Sequence, residues 1–284
     1  MNYSIDQLHL LTLNVGYACH NADWNWKNVR SPFARLFLVT EGCASIDIGN
    51  QNYTLTPGHL YFIPAYTRHS YTCTCHFCHY YLHIYENNDN EESFIEDFTF
   101  PVEIESQASD EEFMKRLCTI YPFLKLPESN PKSYNNYQTL VNNLQLNSRC
   151  CMCDNIEARG IIYILMSHFF KYAHQQVDIQ DDRIANTLRY IRRHLDQAIE
   201  IDALAQRACM SKDHFIRLFK QYMGTTPNVY ITRKKIEKAE LLLVTTNQPI
   251  KFIAETLGYI DNSYFNRIFK KNIGITPQQY RMKR

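Results

Sequence analysis

Two stretches of this chain repeat one another, and no other feature restricts its folds as much. Ile201–Tyr230, IDALAQRACMSKDHFIRLFKQYMGTTPNVY, aligns with Ile250–Tyr280, IKFIAETLGYIDNSYFNRIFKKNIGITPQQY. Ile201, Leu204 and Ala205 recur 49 positions on as Ile250, Ile253 and Ala254. One residue is inserted in the turn and the offset becomes 50. Phe215, Arg217, Phe219, Lys220, Gly224, Thr226, Pro227 and Tyr230 return as Phe265, Arg267, Phe269, Lys270, Gly274, Thr276, Pro277 and Tyr280. Two copies are too few for a solenoid, whose shared core needs at least about three stacked repeats, so paired modules remain.

Each copy parses into the same parts. A short helix is predicted over Asp202–Ala208 and again over Lys251–Leu257, the second closed by Gly258, a residue free to take the positive φ of a C′ position. Ser211 and Asp261 stand where N-caps accept a backbone hydrogen bond. The second helix of each copy carries an apolar stripe at helical spacing: Phe215, Leu218, Phe219 and Tyr222, then Phe265, Ile268, Phe269 and, weakly, Asn272. Gly224 and Gly274 end those helices. Two short helices joined by a tight turn, the second with one packed and one polar face, make a helix-turn-helix unit.

The polar face is the one that meets DNA in such a unit. At about 100° per residue, Arg217 lies almost opposite Phe215. Lys212, Asp213 and Lys220 project outward with it, and Ile216 sits at the margin. In the second copy the corresponding residues are Asn262, Ser263, Asn266, Arg267 and Lys270. Arginine pairs bidentately with guanine and asparagine with adenine, whereas lysines and helix N-termini suit phosphates. Between the copies, Ile231–Thr246 reads as an amphipathic helix about 22 Å long, with Ile231, the stem of Lys235, Ala239, Leu242 and Leu243 near one face. That spacing brings the two reading helices within range of successive major grooves, about 34 Å apart.

Charge divides the chain at the same place. Residues 1–180 hold 11 Lys+Arg against 19 Asp+Glu, and residues 181–284 hold 19 against 10, so the overall net charge of +1 hides an acidic front and a basic back. Only the back is suited to a polyanion.

These residues resemble the AraC/XylS family of bacterial transcriptional regulators. The likeness covers about the last hundred residues and is carried by Ala254, Gly258, Tyr259, Tyr264, Phe265, Arg267, Phe269, Lys270, Gly274, Pro277, Tyr280 and Arg281. Ile260–Asn262, IDN before SYF, departs mildly from the family pattern and bears on the operator sequence, not on the fold. The resemblance implies a DNA-binding domain over 181–284, with double-stranded DNA and RNA polymerase as partners. It also implies a front domain that binds a small effector and a homodimer.

The front has a different character. FARLFLVTEG, CASIDIGNQNYTLTPGHLYFIP and YTCTCHFCHYYLHIY are short alternating runs rich in β-branched and aromatic residues, separated by turn residues. They predict an antiparallel β-sandwich or barrel over 1–108. Glu41-Gly42, Tyr53-x-Leu55, Pro57-Gly58, Ile63-Pro64 and His69 resemble the cupin-like sensor domain common in the same family. From Asp110 the pattern turns helical, with EEFMKRLCTIYPFL, SYNNYQTLVNNLQL and IEARGIIYILMSHFFKYAHQQ, which gives 109–180 as a helical linker segment with apolar surface to bury against the sandwich or a second subunit. The fold class expected is therefore α+β and multidomain, with packed helices on an N-terminal sandwich and an all-α double helix-turn-helix at the C-terminus. Arg35, His69, Tyr71 and His83 are the candidate effector-binding residues at the barrel mouth, with Trp24 and Trp26 as a lid.

A cluster of Cys73, Cys75, His76, Cys78, His79 and His83 supplies the main alternative, a metal- or redox-responsive regulator. On a strand Cys73 and Cys75 share a face, as do His76 and Cys78, while His79 points the other way. No second Cys-x-x-Cys completes a tetrahedral set unless Cys150, Cys151 and Cys153 fold close. The ten cysteines read as reduced thiols in a cytosolic chain, since several lie in Cys-x-Cys pairs too close to bridge. No cofactor or resident metal is expected. A metal-dependent cupin enzyme needs several His and a Glu in a compact motif, and Pro64–His69 offers one His, so no catalytic residues are assigned. A constitutive architectural DNA binder is a further class, and it predicts sequence-tolerant binding with a steep salt slope. Neither a secretion signal nor a run of about 18 apolar residues is present, which implies a cytoplasmic protein without a membrane partner.

Overall fold

The computed structural model describes residues 5, 8–86, 95, 98–134, 139, 142–143, 145–146, 150–175 and 181–282. The chain divides into two compact units, one built mainly from Leu8–Asn87 and Phe98–His174 and the other mainly from Gln175–Lys283. Half of the helix expected over Ser133–Leu146 lies outside the described residues.

The first unit contains β1 (Leu10–Asn21), β2 (Trp26–Val29), β3 (Ala34–Gly42), β4 (Ala44–Ile48), β5 (Gln51–Leu55), β6 (His59–Ile63), β7 (His69–Thr72), β8 (His76–Glu86), β9 (Phe98–Thr99) and β10 (Glu103–Glu105). Two larger antiparallel sheets result, one in the order β1-β8-β3-β6-β10 and one in the order β2-β7-β4-β5, while β9 pairs with the short strand His174–Gln175. Both are open: among the described strands neither closes into a barrel. Alternation divides the larger sheet's side chains between two buried faces. Phe37, Val39, Tyr61, Ile63, Phe77 and Tyr81 face Val29, Ile46, Leu55 and Tyr71 of the smaller sheet. On the opposite face Phe62 meets Phe169 at 5.4 Å, and Leu36, Leu60 and Leu82 are fully buried. The helices covering that face are α1 (Asp110–Ile120) and, after the four-residue α2 (Pro131–Tyr134), the long α3 (Met152–Phe170). Burial on both faces explains why β3 is buried continuously over ARLFLV, apolar but for Arg35, instead of in strict alternation.

In the second unit α4 (Asp182–Arg193) is followed by α5 (Ile201–Arg207), α6 (Lys212–Met223), α7 (Pro227–Thr245), α8 (Ile250–Thr256), α9 (Asn262–Ile273) and α10 (Pro277–Arg281). α4 packs Ile184, Leu188 and Ile191 against the first copy around Phe215 and Phe219. The second copy closes its own core of Ile253, Ala254, Leu257, Phe265 and Phe269 on Ile236, Ala239 and Leu243 of α7. The linker helix begins earlier than its apolar periodicity indicates. Pro227 takes the first helical position, where its missing N–H costs nothing, after the cap residue Thr226.

Lys235, in the middle of α7, joins the two copies. Its Nζ donates to Gln197 O and to Leu257 O, each at 2.7 Å. The first carbonyl precedes α5 of one copy and the second caps α8 of the other, where a cation also meets the negative end of a helix. The side chain is buried, head as well as stem, and burial lowers its pKa to about 8. Beside it, Gly258 has φ +68°, and a Cβ there would lie 2.4 Å from the carbonyl carbon of Gln197. Only glycine accommodates both the conformation and the approach.

Gly274 offers the control, with φ +90° and open space where a Cβ would stand. Gly258→Ala is expected to destabilise the protein by more than about 3 kcal/mol, and Gly274→Ala by about 1–2 kcal/mol. Denaturant unfolding of the full chain checks this; equal losses would show that the contact with Gln197 contributes nothing.

Candidate nucleic-acid interface and ligand cavity

The two reading helices expose the same pattern. Phe215 and Phe219 are buried in α6, as are Phe265 and Phe269 in α9. Ile216 and Leu218, and likewise Asn266 and Ile268, are half-buried. Arg217, Lys220, Asp213, Lys212, Arg267, Lys270 and Ser263 are exposed, and Asn262 is half-buried. Gly224 and Gly274 take left-handed C-caps. Asp261 accepts from Ser263 N at 2.7 Å, whereas Ser211 occupies the cap position of α6 without a side-chain cap bond.

The outward residues differ in how they are held. Arg217 donates to His214 Nδ1 at 3.1 Å, and Arg267 lies 5.8 Å over the ring of Tyr264. His214 and Tyr264 correspond in the repeat, so each copy steadies its arginine with a ring one helical turn earlier. Residue spacing alone could have flagged this pairing. Lys212 makes an ion pair with Asp202 of α5 at 2.9 Å. The matching positions of the second copy are Asn262 and Lys251, so that tie is confined to the first. Both partners are more than half exposed, and the pair adds little stability.

In the first unit a cavity of about 220 Å³ lies between the sheets, with walls from β1, β3, β7 and β8. Of the residues expected to bind an effector, Tyr71 and His83 line it. Arg35 and His69 stand behind the wall. Trp24 is part of the wall, stacked on Tyr71 at 4.0 Å, while Trp26 packs against the core outside it. The sequence reading missed Phe37, His20, His79 and Tyr81 as wall residues, although period-two spacing from His83 leads directly to Tyr81 and His79. It also missed Tyr17, Ala18 and Cys19 of β1, the segment Lys125–Ser129 and Tyr134, which complete the lining. Tyr81 Oη accepts from Leu126 N at 2.8 Å and Asn14 Nδ2 donates to Leu124 O at 3.3 Å, which tether that segment. Gly16, opposite Tyr81 in the β1–β8 register, leaves room for the tyrosine hydroxyl, since a Cβ would lie 2.3 Å from it.

The buried histidines and tyrosines at this wall are kept neutral. Burial lowers His79 and His69 to about 3 and pushes His83 well below the usual imidazole range, with the positive charge of Arg35 adding to the effect at His69 and His83. Burial also lowers His20, and raises Tyr71, Tyr134 and, to about 12, Tyr81. Hydrogen bonding then fixes tautomers. His69 Nδ1 donates to Thr67 O at 2.8 Å, which leaves Nε2 to accept from the Tyr71 hydroxyl at 2.8 Å. His20 Nδ1 faces Asp23 at 3.2 Å, so Nε2 is an acceptor, and it has no protein partner; nor does His79 Nδ1.

The cysteine expectations need correction. Cys19 and Cys78 form a disulfide, because the antiparallel register of β1 and β8 sets them directly opposite, with Cα atoms 4.1 Å apart. The other eight are free thiols. Cys73 and Cys75 lie in the loop between β7 and β8, not on a strand; Cys73 is buried and Cys75 exposed. His76 and Cys78 do share a face, 3.3 Å apart, but the Cys78 sulfur is already bonded to Cys19, which removes it as a thiolate ligand from the group with Glu41. Cys151, Cys153 and Asp154 form a separate exposed group.

Taken together, the paired modules define a protein with a double helix-turn-helix DNA-binding domain. A family model described as a helix-turn-helix domain matches residues 204–283. Over 102 residues the chain is 35% identical to the arabinose operon regulatory protein of Salmonella typhimurium, which is 36% of each chain. Over 94 residues it is 36% identical to the MmsAB operon regulatory protein of Pseudomonas aeruginosa, 33% of this chain and 31% of that one. The C-terminal domain of AraT, a response regulator from Geobacillus stearothermophilus, is similar at 34% identity, over 36% of this chain and 85% of that one, with a TM-score of 0.35. Over this C-terminal stretch the chain is therefore similar to bacterial operon regulatory proteins and carries a helix-turn-helix domain. It spans about a third of the length of the curated relatives it matches. No described helix is long and apolar enough to cross a membrane.

A neutral, buried His79 makes stability depend on acid. Its folded pKa, about 3, lies below the ordinary 6.5, so the unfolded chain binds the extra proton and stability falls as pH drops from 6.5 towards 3. His79→Phe is expected to flatten part of that fall in pH-dependent unfolding measurements. Parallel curves for the variant and the parent would contradict the assignment.

Proposed function

We propose that this chain is a sequence-specific transcriptional regulator whose C-terminal unit reads DNA through α6 and α9 and whose N-terminal unit binds a small effector. The observation that carries the DNA reading is the matched exposure of Arg217 and Lys220 with Arg267 and Lys270, on helices whose opposite faces are buried by the same pair of phenylalanines. The arginines, with Asn262, Asn266, Asp213, Ser263 and Ile216, contact base edges, and Lys220, Lys270 and Lys212 contact phosphates. Lys212 must leave Asp202 to do so.

The cupin-like assignment of the sandwich and the effector role of its cavity rest on the neutral aromatic wall. Trp24, Phe37 and Tyr71 offer flat apolar surface, and two imidazole nitrogens, the acceptor His20 Nε2 and His79 Nδ1, have no hydrogen-bond partner among the described residues. A small, planar, uncharged molecule bearing an N–H or O–H donor fits that chemistry. Tyr71 and His83 would touch it, with Arg35 and His69 setting their hydrogen bonding from behind. Homodimerisation and contact with RNA polymerase follow from the family alone. The exposed Met152, Ile156 and Ile164 of α3 are the surface we assign to the dimer.

The test is DNA affinity of the full chain for its best selected site and for a scrambled duplex, across a range of salt. Arg217→Ala and Arg267→Ala are each expected to cost about 1–3 kcal/mol on the selected site and much less on the scrambled one. Lys220→Ala should weaken both alike and lower the salt slope by about one. If the arginine variants weaken every sequence equally, the base-reading assignment is wrong and an architectural binder is favoured.

A further inference from the structure

Neither DNA reading nor effector binding uses the free thiols gathered at one end of β1, β3 and β8. Besides the bonded Cys19 and Cys78, this end carries Cys43, just after β3, and Cys75, just before β8. Their sulfurs are 3.5 Å apart and both residues are exposed. The backbone holds them there: Cys43 N donates to His76 O at 3.3 Å, and the Cys75 thiol reaches Cys43 O at 3.4 Å. A disulfide needs sulfurs about 2.05 Å apart, so closure asks for a shift of about 1.5 Å between two loops already in register.

We propose that Cys43 and Cys75 are a reversible dithiol–disulfide site, oxidised by low-molecular-weight disulfides, whose state changes the wall of the cavity. In the reaction one of the two, as thiolate, attacks a sulfur of glutathione disulfide, forming a mixed disulfide and releasing one glutathione thiolate. The second cysteine, as thiolate, attacks the protein sulfur of that mixed disulfide and expels the other glutathione. The protein loses two protons and two electrons, and one glutathione disulfide becomes two glutathione thiols. Cys75 pushes the Cys43 thiol above its ordinary pKa, so exchange quickens as pH rises.

The route to the cavity is short. Ala22 N donates to Cys75 O at 3.2 Å. Cys73 N donates to Asn25 Oδ1 at 3.0 Å, and Asn25 Nδ2 donates back to Cys73 O at 3.3 Å. The loop carrying Cys75 is thereby fastened to the turn Ala22–Asn25, in which Ala22 is held at φ 61° and Trp24 enters the cavity wall. Closing Cys43 onto Cys75 pulls on that turn. The dithiol chemistry stands whether or not the effector reading holds, since it rests on the thiols alone, and only its consequence depends on the cavity.

The chain has two tryptophans, Trp24 and Trp26, and both lie in this region, so tryptophan emission reports on it selectively. The experiment titrates the full chain with glutathione and glutathione disulfide, alkylates remaining thiols, and maps peptides by mass spectrometry without reduction. A Cys153→Ser background removes the competing Cys151–Cys153 pair, whose sulfurs are 2.8 Å apart. The expected result is a Cys43–Cys75 cross-link that dithiothreitol reverses, with tryptophan emission changing at the same midpoint. In Cys43→Ser the emission change disappears, and Cys75 carries glutathione instead. The proposal is overturned if Cys43 and Cys75 stay alkylated at the oxidised end, if they bond to other cysteines, or if emission changes equally in Cys43→Ser. The cross-link in the unmutated pair remains decisive even where Cys43→Ser fails to fold.

Discussion

Two hydrogen bonds from one buried ammonium set the geometry of the DNA-binding unit. Lys235 reaches out of the linker helix to Gln197 O in the first copy and to Leu257 O in the second. Unlike a surface ion pair, this arrangement has no acidic side chain to exchange with solvent. Its partners are carbonyls fixed by the backbone, and Gly258 brings one of those backbones within a distance that no Cβ allows. The lowered pKa of Lys235 records the cost of burying the charge. That cost is relieved as pH rises through about 8 towards the ordinary value, while the charged form is the one that holds both carbonyls. α6 and α9 thus hang from a common joint, and the spacing of their arginines follows from it.

The copies are alike where they pack and unlike where they face outward. Phe215, Phe219, Pro227 and the left-handed Gly224 recur because the core and the turn require them. His214 against Tyr264, Lys212 against Asn262, Asp213 against Ser263, and Ile216 against Asn266 are free of that requirement. A helix that supports its arginine with a hydrogen-bonded imidazole and one that supports it with a phenol ring present different surfaces to a base pair. On the proposed reading, one chain therefore presents two non-equivalent helices to DNA. In the other unit four histidines at and behind the cavity wall are held neutral by burial, with Arg35 behind two of them.

Much of this was legible in the residues, and the reason is locality. Helix boundaries, caps and the stripe Phe215–Phe219 arise from neighbours within one or two turns, so the repeat revealed them. The outward arginines followed from helical periodicity, and Tyr71 and His83 from strand composition. What escaped was long-range. The Cys19–Cys78 bond depends on a β1–β8 register between strands 59 residues apart. The cavity's Leu126 is tethered to Tyr81 across 45 residues. Lys235 read as an amphipathic stem because nothing near it in sequence announces Gln197 and Leu257 as acceptors. α4 has no counterpart in the repeat, so the repeat does not point to it as a partner of Phe215 and Phe219.

The central claim is that a single chain reads a directional site with two unequal modules on one rigid joint. The most direct measurement is selection of bound duplexes from a random-sequence library by the full chain, followed by alignment of the recovered sites. The account predicts one non-palindromic motif with two differing segments at fixed spacing, about one helical turn apart. Recovery of a palindrome, of a single short segment, or of no motif at all would contradict it.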